Sequence, residues 1–483
     1  MKHGEFPALH TWIGAASEMS DLTDNASLYD PNTGEWLAVV RSSSPSQVDR
    51  AIAAAARAHD AGEWLGLGID GRAPFLLAVA DELDNHAERI AHLDSLNSGV
   101  PISTTRLFAN SNGDTVRSAV RRMQAWGDSY QVSADGRLVE IHRIPWGATG
   151  LIMPWNAPSA MAVKKVSFAL ASGSTVVMKP SPASPWSAQI VAEACSKVGI
   201  PDGVVNLVLG GTVVGHQLVA DPRIRAISMT GSTDSGRSIA ASAAPNFTRL
   251  RLELGSSNPA IVRADADIAQ TATLIANGAL KMSGQWCEAP RRIIADVNVV
   301  DELVDALEVS FAKHKVGSSL DESTDVGPVA FEARRDELQR QRSVFEQHGA
   351  RIIGQNDIDR GGWFFAPTIA FGGEHDPGIE VFGPMITVNA ARDDAEALEN
   401  ANFGQVGLAA YVFSRDESRA AALGKQLNAG EVKVNGTSVL DMSPDSAQSF
   451  FGSSGIGGHG DSDVLDFFIG KRIVGTDAPG LPL

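Results

Sequence analysis

The sequence predicts an α/β protein built on a doubly wound parallel sheet, followed by a second α/β domain. Two observations carry this. From Ala148 to Leu254 short apolar runs alternate with helical patterns, and from Ala260 to Val434 the same grammar repeats. Apolar runs that short, separated by helices, are what strands buried on both faces look like.

Taken in order, Ser46–Glu63 follows Pro45 and is Ala-rich, which predicts a helix. Ala73–Ser95 carries Leu76, Leu77, Val79, Ala80, Leu83 and Ile90 at near-helical spacing and predicts a second. Leu138–Ile144 alternates apolar and polar residues, the pattern of an exposed antiparallel strand. The first α/β series has strands at Thr149–Met153, Thr175–Met178, Val204–Leu209, Ile224–Met229 and Arg249–Leu254. Helices at Ser159–Ser172, Pro185–Val198, Val213–Ala220 and Ser235–Ala243 separate them. The second series has strands at Ala260–Val262, Arg292–Ala295, Ile386–Ala390, Ala410–Phe413 and Glu431–Val434, with helices near Ile268–Met282, Val300–His314, Asp394–Asn402 and Glu417–Leu427. The apolar tail Val464–Val474 is predicted to dock on this subunit or a neighbour.

Composition narrows the function. The 483 residues carry 40 basic against 57 acidic side chains, a net charge of −17, which opposes nucleic acid or an anionic membrane as partner. Two cysteines, Cys195 and Cys287, allow neither a disulfide framework nor a Cys-rich zinc site, and no metal is expected. Gly147–Val163 is interrupted by Pro154, Asn156 and Pro158, so it is no membrane span, and the first twenty residues lack an apolar signal core. A soluble, cytoplasmic protein is the expectation.

Open α/β sheets bind ligands beyond the carboxyl ends of their strands. Here those ends read Pro154–Trp155–Asn156, Lys179–Pro180–Ser181, Gly210–Gly211, Thr230–Gly231–Ser232 and Glu253–Leu254–Gly255. A Lys, an Asn and a Glu on one rim point to a site. Two glycine patterns, Gly66 to Gly71 and Gly455 to Gly460, fit the letters of a dinucleotide fingerprint but follow no strand of a βαβ unit, and both read as loops. Cys195 lies on an apolar helix face and reads as core. Cys287 sits in a polar segment after a helix, and Glu253 and Asn156 can supply it with a base and an oxyanion donor.

At this point the chain resembles the aldehyde dehydrogenase superfamily. The motifs run in that family's order: PWNAP at Pro154–Pro158, VVMKPSPASP at Val176–Pro185, MTGSTDSGR at Met229–Arg237, LELGSSNP at Leu252–Pro259, GQWC at Gly284–Cys287, FAPT at Phe365–Thr368, EVFGP at Glu380–Pro384 and FGQVGLAAYVFS at Phe403–Ser414. The resemblance implies that Cys287 attacks an aldehyde as thiolate, that Asn156 and the Cys287 N–H hold the oxyanion, and that Glu253 activates the water that releases the acid. It implies a nicotinamide cofactor, NAD ahead of NADP. Lys179 would bind the adenosine ribose, Glu380 the nicotinamide ribose, and Phe382 would pack beside the ring. Ile152, Pro154, Trp155, Ser181, Pro182, Gly211, Gly215, Thr230, Gly231, Ser232 and Leu254 would complete the cofactor cleft. Ala157, Met161, Lys164, Lys281, Trp286 and Glu288 would lie along or near the aldehyde tunnel, which the two lysines would make partly polar.

Several residues depart from the family pattern. Pro182 stands where many NAD users carry a Glu, Ser256 and Ser257 interrupt the usual ELGGK, and Arg334 falls where a Gln is common. His459 stands where a glutamate is common and reads as a surface histidine, with a proton relay as the alternative. The resemblance further implies a cofactor domain over 1–124 and 144–255, a catalytic domain over 256–465, and an oligomerisation arm over 125–143 and 466–483. A homodimer or homotetramer would follow. The competing functions are a coenzyme A-acylating member of the same fold, which commonly lacks the Glu253 equivalent, and a catalytically silent scaffold.

Overall fold

Val176, Val177 and Met178 are consecutive and all buried, yet Val176 and Met178 join one hydrophobic cluster and Val177 joins another. That is the period of two expressed in a strand covered on both faces. In the computed structural model, which describes residues 6–14, 16–134, 137–354, 361–373, 379–438 and 446–475, five such strands form a parallel sheet. Their spatial order is Val205–Leu207, Val176–Lys179, Ala148–Ile152, Ile224–Thr230 and Arg249–Glu253. The first strand in sequence lies in the middle, so the chain winds outward one way and then the other, and a crevice opens where the direction reverses. Antiparallel additions extend both edges: His10–Ile13 with Ala16–Met19 beside Val205–Leu207, and Gly455–Ile456 beside Arg249–Glu253.

The second sheet runs Arg351–Gly354, Thr368–Phe371, Met385–Ala391, Arg292–Asp296, Pro259–Val262, Ala409–Phe413 and Glu431–Val434, parallel except for its first member. A small antiparallel sheet joins Ser129–Ala134, Arg137–Pro145 and Ile469–Val474, so the apolar tail pairs with the alternating strand. Residues 476–483 of the expected arm lie outside the described residues. Among the described residues no helix is long and apolar enough to cross a membrane.

The structure corrects the element reading in five places. The helix expected over Ala73–Ser95 is two, Gly68–Asn85 and Ala87–Ser98, separated at His86, whose φ of −101° and ψ of 5° leave the helical region. Gly68 and Gly71 of the first glycine pattern lie in the former helix, and Gly66 ends a short helical turn, Glu63–Gly66, so that pattern is helical and no loop. Ile102–Trp126 is a further helix, buried along Ala109, Asn112, Gly113, Val116, Ala119 and Val120. Thr105, Asn112 and Gly113 interrupt the apolar Ile102, Val116, Val120 and Met123 along that stripe, which weakens its periodicity in the sequence. The hairpin of Leu22–Tyr29 with Trp36–Ser42 and the edge strands Arg351–Gly354 and Thr368–Phe371 are likewise additions. Helix Pro45–Ala61 starts one residue before its expected position, because Ser44 and Gln47 form a reciprocal capping box there.

Candidate active site

The helix Ile268–Leu280 ends in a tight turn, Lys281–Gly284, in which Met282, Ser283 and Gly284 all take positive φ, of 55°, 58° and 72°. For the two non-glycine residues this conformation costs of order 1 kcal/mol each or more. Gly284 is required on two counts, since a Cβ there would stand 2.2 Å from the Gly383 carbonyl carbon. Bonds from several elements hold the turn. Ser283 Oγ donates to the Gly99 carbonyl at 3.0 Å and accepts the Gly327 N–H at 2.9 Å. Gln285 donates to the Ser98 carbonyl at 2.8 Å and accepts the Ala330 N–H at 2.9 Å. The buried Arg291 guanidinium donates to the Gly284, Trp286 and Gly383 carbonyls. Asn258 Nδ2 donates to the Cys287 carbonyl at 2.7 Å and the Ala289 carbonyl at 2.9 Å. Cys287 is thereby presented, half-buried, on the wall of a cleft of about 1230 Å³.

Glu253 and Asn156 line the same cleft. Asn156 Nδ2 donates to the Gln285 carbonyl at 2.8 Å, which ties the amide to the cysteine turn and leaves its second N–H available. Glu253 ends its strand only 2% exposed. Thr230 Oγ1 donates to its Oε2 at 3.1 Å, and His459 Nε2 stands 3.0 Å from its Oε1. Burial alone would raise the Glu253 pKa, but His459, Arg251 and Lys165 together hold it well below the usual carboxylate range. Glu288 is pushed up to about 7, chiefly by burial. Burial, then Glu253, Glu288 and Glu380, push the Cys287 thiol well above its ordinary range. His459 is thus no surface histidine: its side chain is 13% exposed and faces the cleft.

One half of the cleft is shaped for a nucleotide. Lys179 ends its strand 6% exposed, its amine pushed down to about 8 by burial, with one carbonyl partner, Pro180, at 3.3 Å. Two of its N–H groups are therefore free to meet hydroxyls. Ser181, Pro182, Gly215, Ile152, Thr230 and Leu254 line the cleft around it. Two helix N-termini open there: Thr212–Ala220 from Gly211, with no side-chain cap, and Thr233–Ala243 from Gly231 and Ser232. Orphan N–H groups at such ends favour phosphate oxygens. Beyond them Pro154 lines the wall and Trp155 packs edge-on to Phe331 and Phe382, at ring separations of 5.1 and 5.4 Å. Glu380 accepts the Ser256 N–H at 3.1 Å, and Gly255 keeps room for it, since a Cβ there would meet Oε2 at 2.0 Å. Arg334 lines the cleft near Glu380.

In the other half Ala157, Met161, Lys164, Trp286 and Glu288 line the wall, joined by Phe108, Ala160 and Met282. Lys281 does not: it lies 4.7 Å from the Trp286 ring centroid and donates to the Thr437 carbonyl at 2.9 Å. Lys164 stands 3.5 Å from Asp461, which also accepts from Arg122 at 3.0 Å. Lys281 is thereby corrected to a place off the cleft wall, while Lys164 and Glu288 stay on it.

Sequence reasoning missed Asn258, Arg291, Arg251 and Phe331. Asn258 was visible inside LELGSSNP, and Arg291 follows GQWC by four residues, but their partners are backbone carbonyls, which leave no mark in sequence.

The family model described as the aldehyde dehydrogenase family matches residues 18–474. The geranial dehydrogenase of Castellaniella defragrans is 32% identical over 460 residues, covering 93% of this chain and 94% of its own. The 3,6-anhydro-alpha-L-galactose dehydrogenase of Streptomyces coelicolor is 33% identical over 484 residues, covering 98% and 96%. A solved point mutant of betaine aldehyde dehydrogenase from Staphylococcus aureus, in complex with NAD+ and bearing a modified cysteine, superposes with a TM-score of 0.93 at 28% identity, covering 99% of each chain.

Proposed function

The chain belongs to the aldehyde dehydrogenase family, and from that premise we propose that it oxidises an aldehyde to its carboxylic acid with a nicotinamide cofactor, NAD ahead of NADP. One arrangement carries the reading: Cys287, Glu253 and Asn156 line a single cleft with Lys179 and the residues that begin two helices, Gly211 and Ser232. The donor set fits such a cofactor. Lys179 and Glu380 would hold its two riboses, Gly211, Gly231 and Ser232 its phosphates, and Phe382 and Trp155 its ring. That the Staphylococcus relative was solved with NAD+ supports the choice.

In the reaction, Cys287 attacks the aldehyde carbon as thiolate, and the oxyanion that forms meets the free N–H of Asn156 and the Cys287 backbone N–H. When bound, the nicotinamide supplies the acceptor for the hydride lost by that carbon, which leaves Cys287 as a thioester. Glu253 then takes a proton from water as the oxygen attacks the acyl carbon, and the C–S bond breaks to return the thiolate. An acylating enzyme has no need of such a carboxylate, so the buried Glu253 favours hydrolysis. The test is near-ultraviolet absorbance of the reduced cofactor, with NAD or NADP, a panel of aldehydes, and Cys287→Ala alongside. Turnover by wild type and none by the variant is the expected result. No signal with any pair, coenzyme A included, overturns the reading.

The arm is proposed as an oligomerisation element. Val132, Leu138, Ile473 and Val474 are exposed on its small sheet, apolar surface that a second subunit would cover.

A further inference from the structure

Glu288 follows the nucleophile in the chain and lines the same cleft. It is only 6% exposed, yet among the described residues its carboxyl group makes no hydrogen bond. The residue is fixed through its backbone instead, where the Tyr411 hydroxyl donates to the Glu288 carbonyl. The cations nearby are committed elsewhere. His459 Nε2 stands 3.9 Å from Glu288 Oε1 but 3.0 Å from Glu253 Oε1. Lys433 is 3.0 Å from Glu431 and donates to the Ser438 carbonyl at 2.7 Å. Lys281 donates to the Thr437 carbonyl at 2.9 Å, and Lys164 stands 3.5 Å from Asp461. Burial first, then Glu431 and Glu253, push the Glu288 pKa up to about 7 against His459 and Lys433. A buried carboxyl without a partner costs free energy, and this one stands on the wall assigned to the aldehyde.

We propose that Glu288 determines the substrate class: the aldehyde carries an ammonium group a few atoms from its carbonyl, and that group pairs with the Glu288 carboxylate. This rests on the aldehyde-oxidising reading above. The spacing follows from the chain, because Glu288 adjoins Cys287 and consecutive Cα atoms lie about 3.8 Å apart. A group that meets Glu288 is therefore a short stem away from the carbon that Cys287 attacks. An ammonium supplies what the site lacks, a donor and a positive charge. A carboxylate on the same stem would stand against Glu288 and Glu253 and be disfavoured. The pairing also acts on the nucleophile. Glu288 is among the carboxylates that raise the Cys287 thiol, so a cation beside it cancels part of that push and favours the thiolate. Tyr411, whose pKa burial raises well above its ordinary range, keeps its proton and stays neutral.

The experiment compares kcat/KM, by absorbance of the reduced cofactor, for four aldehydes on one stem: 3-aminopropanal, butanal, 3-hydroxypropanal and 4-oxobutanoate. At pH 8 wild type should favour 3-aminopropanal over butanal about 10- to 100-fold, with 4-oxobutanoate last. Glu288→Gln should bring the ratio of the first two close to one. A ratio cancels any general effect of the substitution on the nucleophile. Between pH 6 and 8 the wild-type ratio should also rise about 10-fold as Glu288 ionises, while the aliphatic ammonium stays charged. If Glu288→Gln does not fold, that rise decides alone. A wild-type ratio below twofold, 3-hydroxypropanal ahead of 3-aminopropanal, a ratio that Glu288→Gln retains, or one that is flat with pH overturns the proposal. No reduced cofactor from wild type with any of the four, or with the wider panel, overturns the underlying reading instead.

Discussion

Asn258→Ala tests whether the cysteine turn is held by its backbone carbonyls. Asn258 is fully buried, and its amide makes three bonds: Nδ2 to the Cys287 and Ala289 carbonyls at 2.7 and 2.9 Å, and Oδ1 from the Ala409 N–H at 3.2 Å. Truncation leaves two acceptors and one donor buried without partners. At the low end, about 1 kcal/mol for each orphaned group, the loss comes to about 3 kcal/mol. It falls on the residue whose N–H is proposed to meet the oxyanion, and a displacement of about 1 Å there slows chemistry roughly 100-fold. Asn258→Asp is the sharper companion: it keeps the shape and can still accept from Ala409, but sets an oxygen against two carbonyl oxygens. Both variants should form the first equivalent of reduced cofactor at least 10-fold more slowly and lose activity sooner on heating. First-turnover rates within twofold of wild type, with unchanged thermal half-lives, would refute the reasoning.

Lys179→Met removes the buried amine, whose charged hydrogen bonds to hydroxyls are worth about 1.5–3 kcal/mol. The cofactor KM should rise about 10- to 100-fold, with kcat within twofold, as initial rates against cofactor concentration would establish. Cys287 should react slowly with iodoacetamide near neutral pH and faster only well into the alkaline range, because burial and three carboxylates raise its pKa. The sign carries into stability. The folded state holds the thiol proton more tightly than the unfolded chain, so this contribution is complete below the ordinary thiol range and is lost as pH rises above it. A labelling rate that levels off below pH 8 would contradict both statements.

Much of this was legible in the sequence because it follows from local pattern. The five strands from Ala148 to Glu253 appear within a residue or two of their expected ends, since each is a short apolar run closed by Pro, Gly or a charge. The residues singled out at those ends face one cleft, because a doubly wound sheet puts its strand termini on one rim. The edge strands Arg351–Gly354 and Thr368–Phe371 escaped because their burial depends on neighbours distant in sequence. Helix Ile102–Trp126 escaped because Gly113 and Asn112 occupy buried positions. His459 was misjudged for a related reason. Nothing near it is apolar enough to signal burial, and its place is set by pairing with Leu252 and Glu253, two hundred residues earlier in the chain.

Two features of Cys287 work against its own reactivity. Its turn holds Met282 and Ser283 in left-handed conformations, and three carboxylates press on its thiol. Neither would persist unless something outweighed it. The bonds that do so come from separate places: Asn258 before the strand Pro259–Val262, Arg291 before the strand Arg292–Asp296, the carbonyls of Ser98 and Gly99 at the end of helix Ala87–Ser98, and the N–H groups of Gly327 and Ala330. Because they come from the second sheet, a helix end and a separate loop, the turn cannot relax without breaking contacts on several sides. The geometry of the cysteine is therefore enforced mechanically while its charge state is restrained electrostatically, and the two are separable. Removing Asn258 or Ser283, which carry no charge, should disorder the nucleophile without altering the carboxylates, whereas Arg291 acts on both, since its charge also faces Glu380.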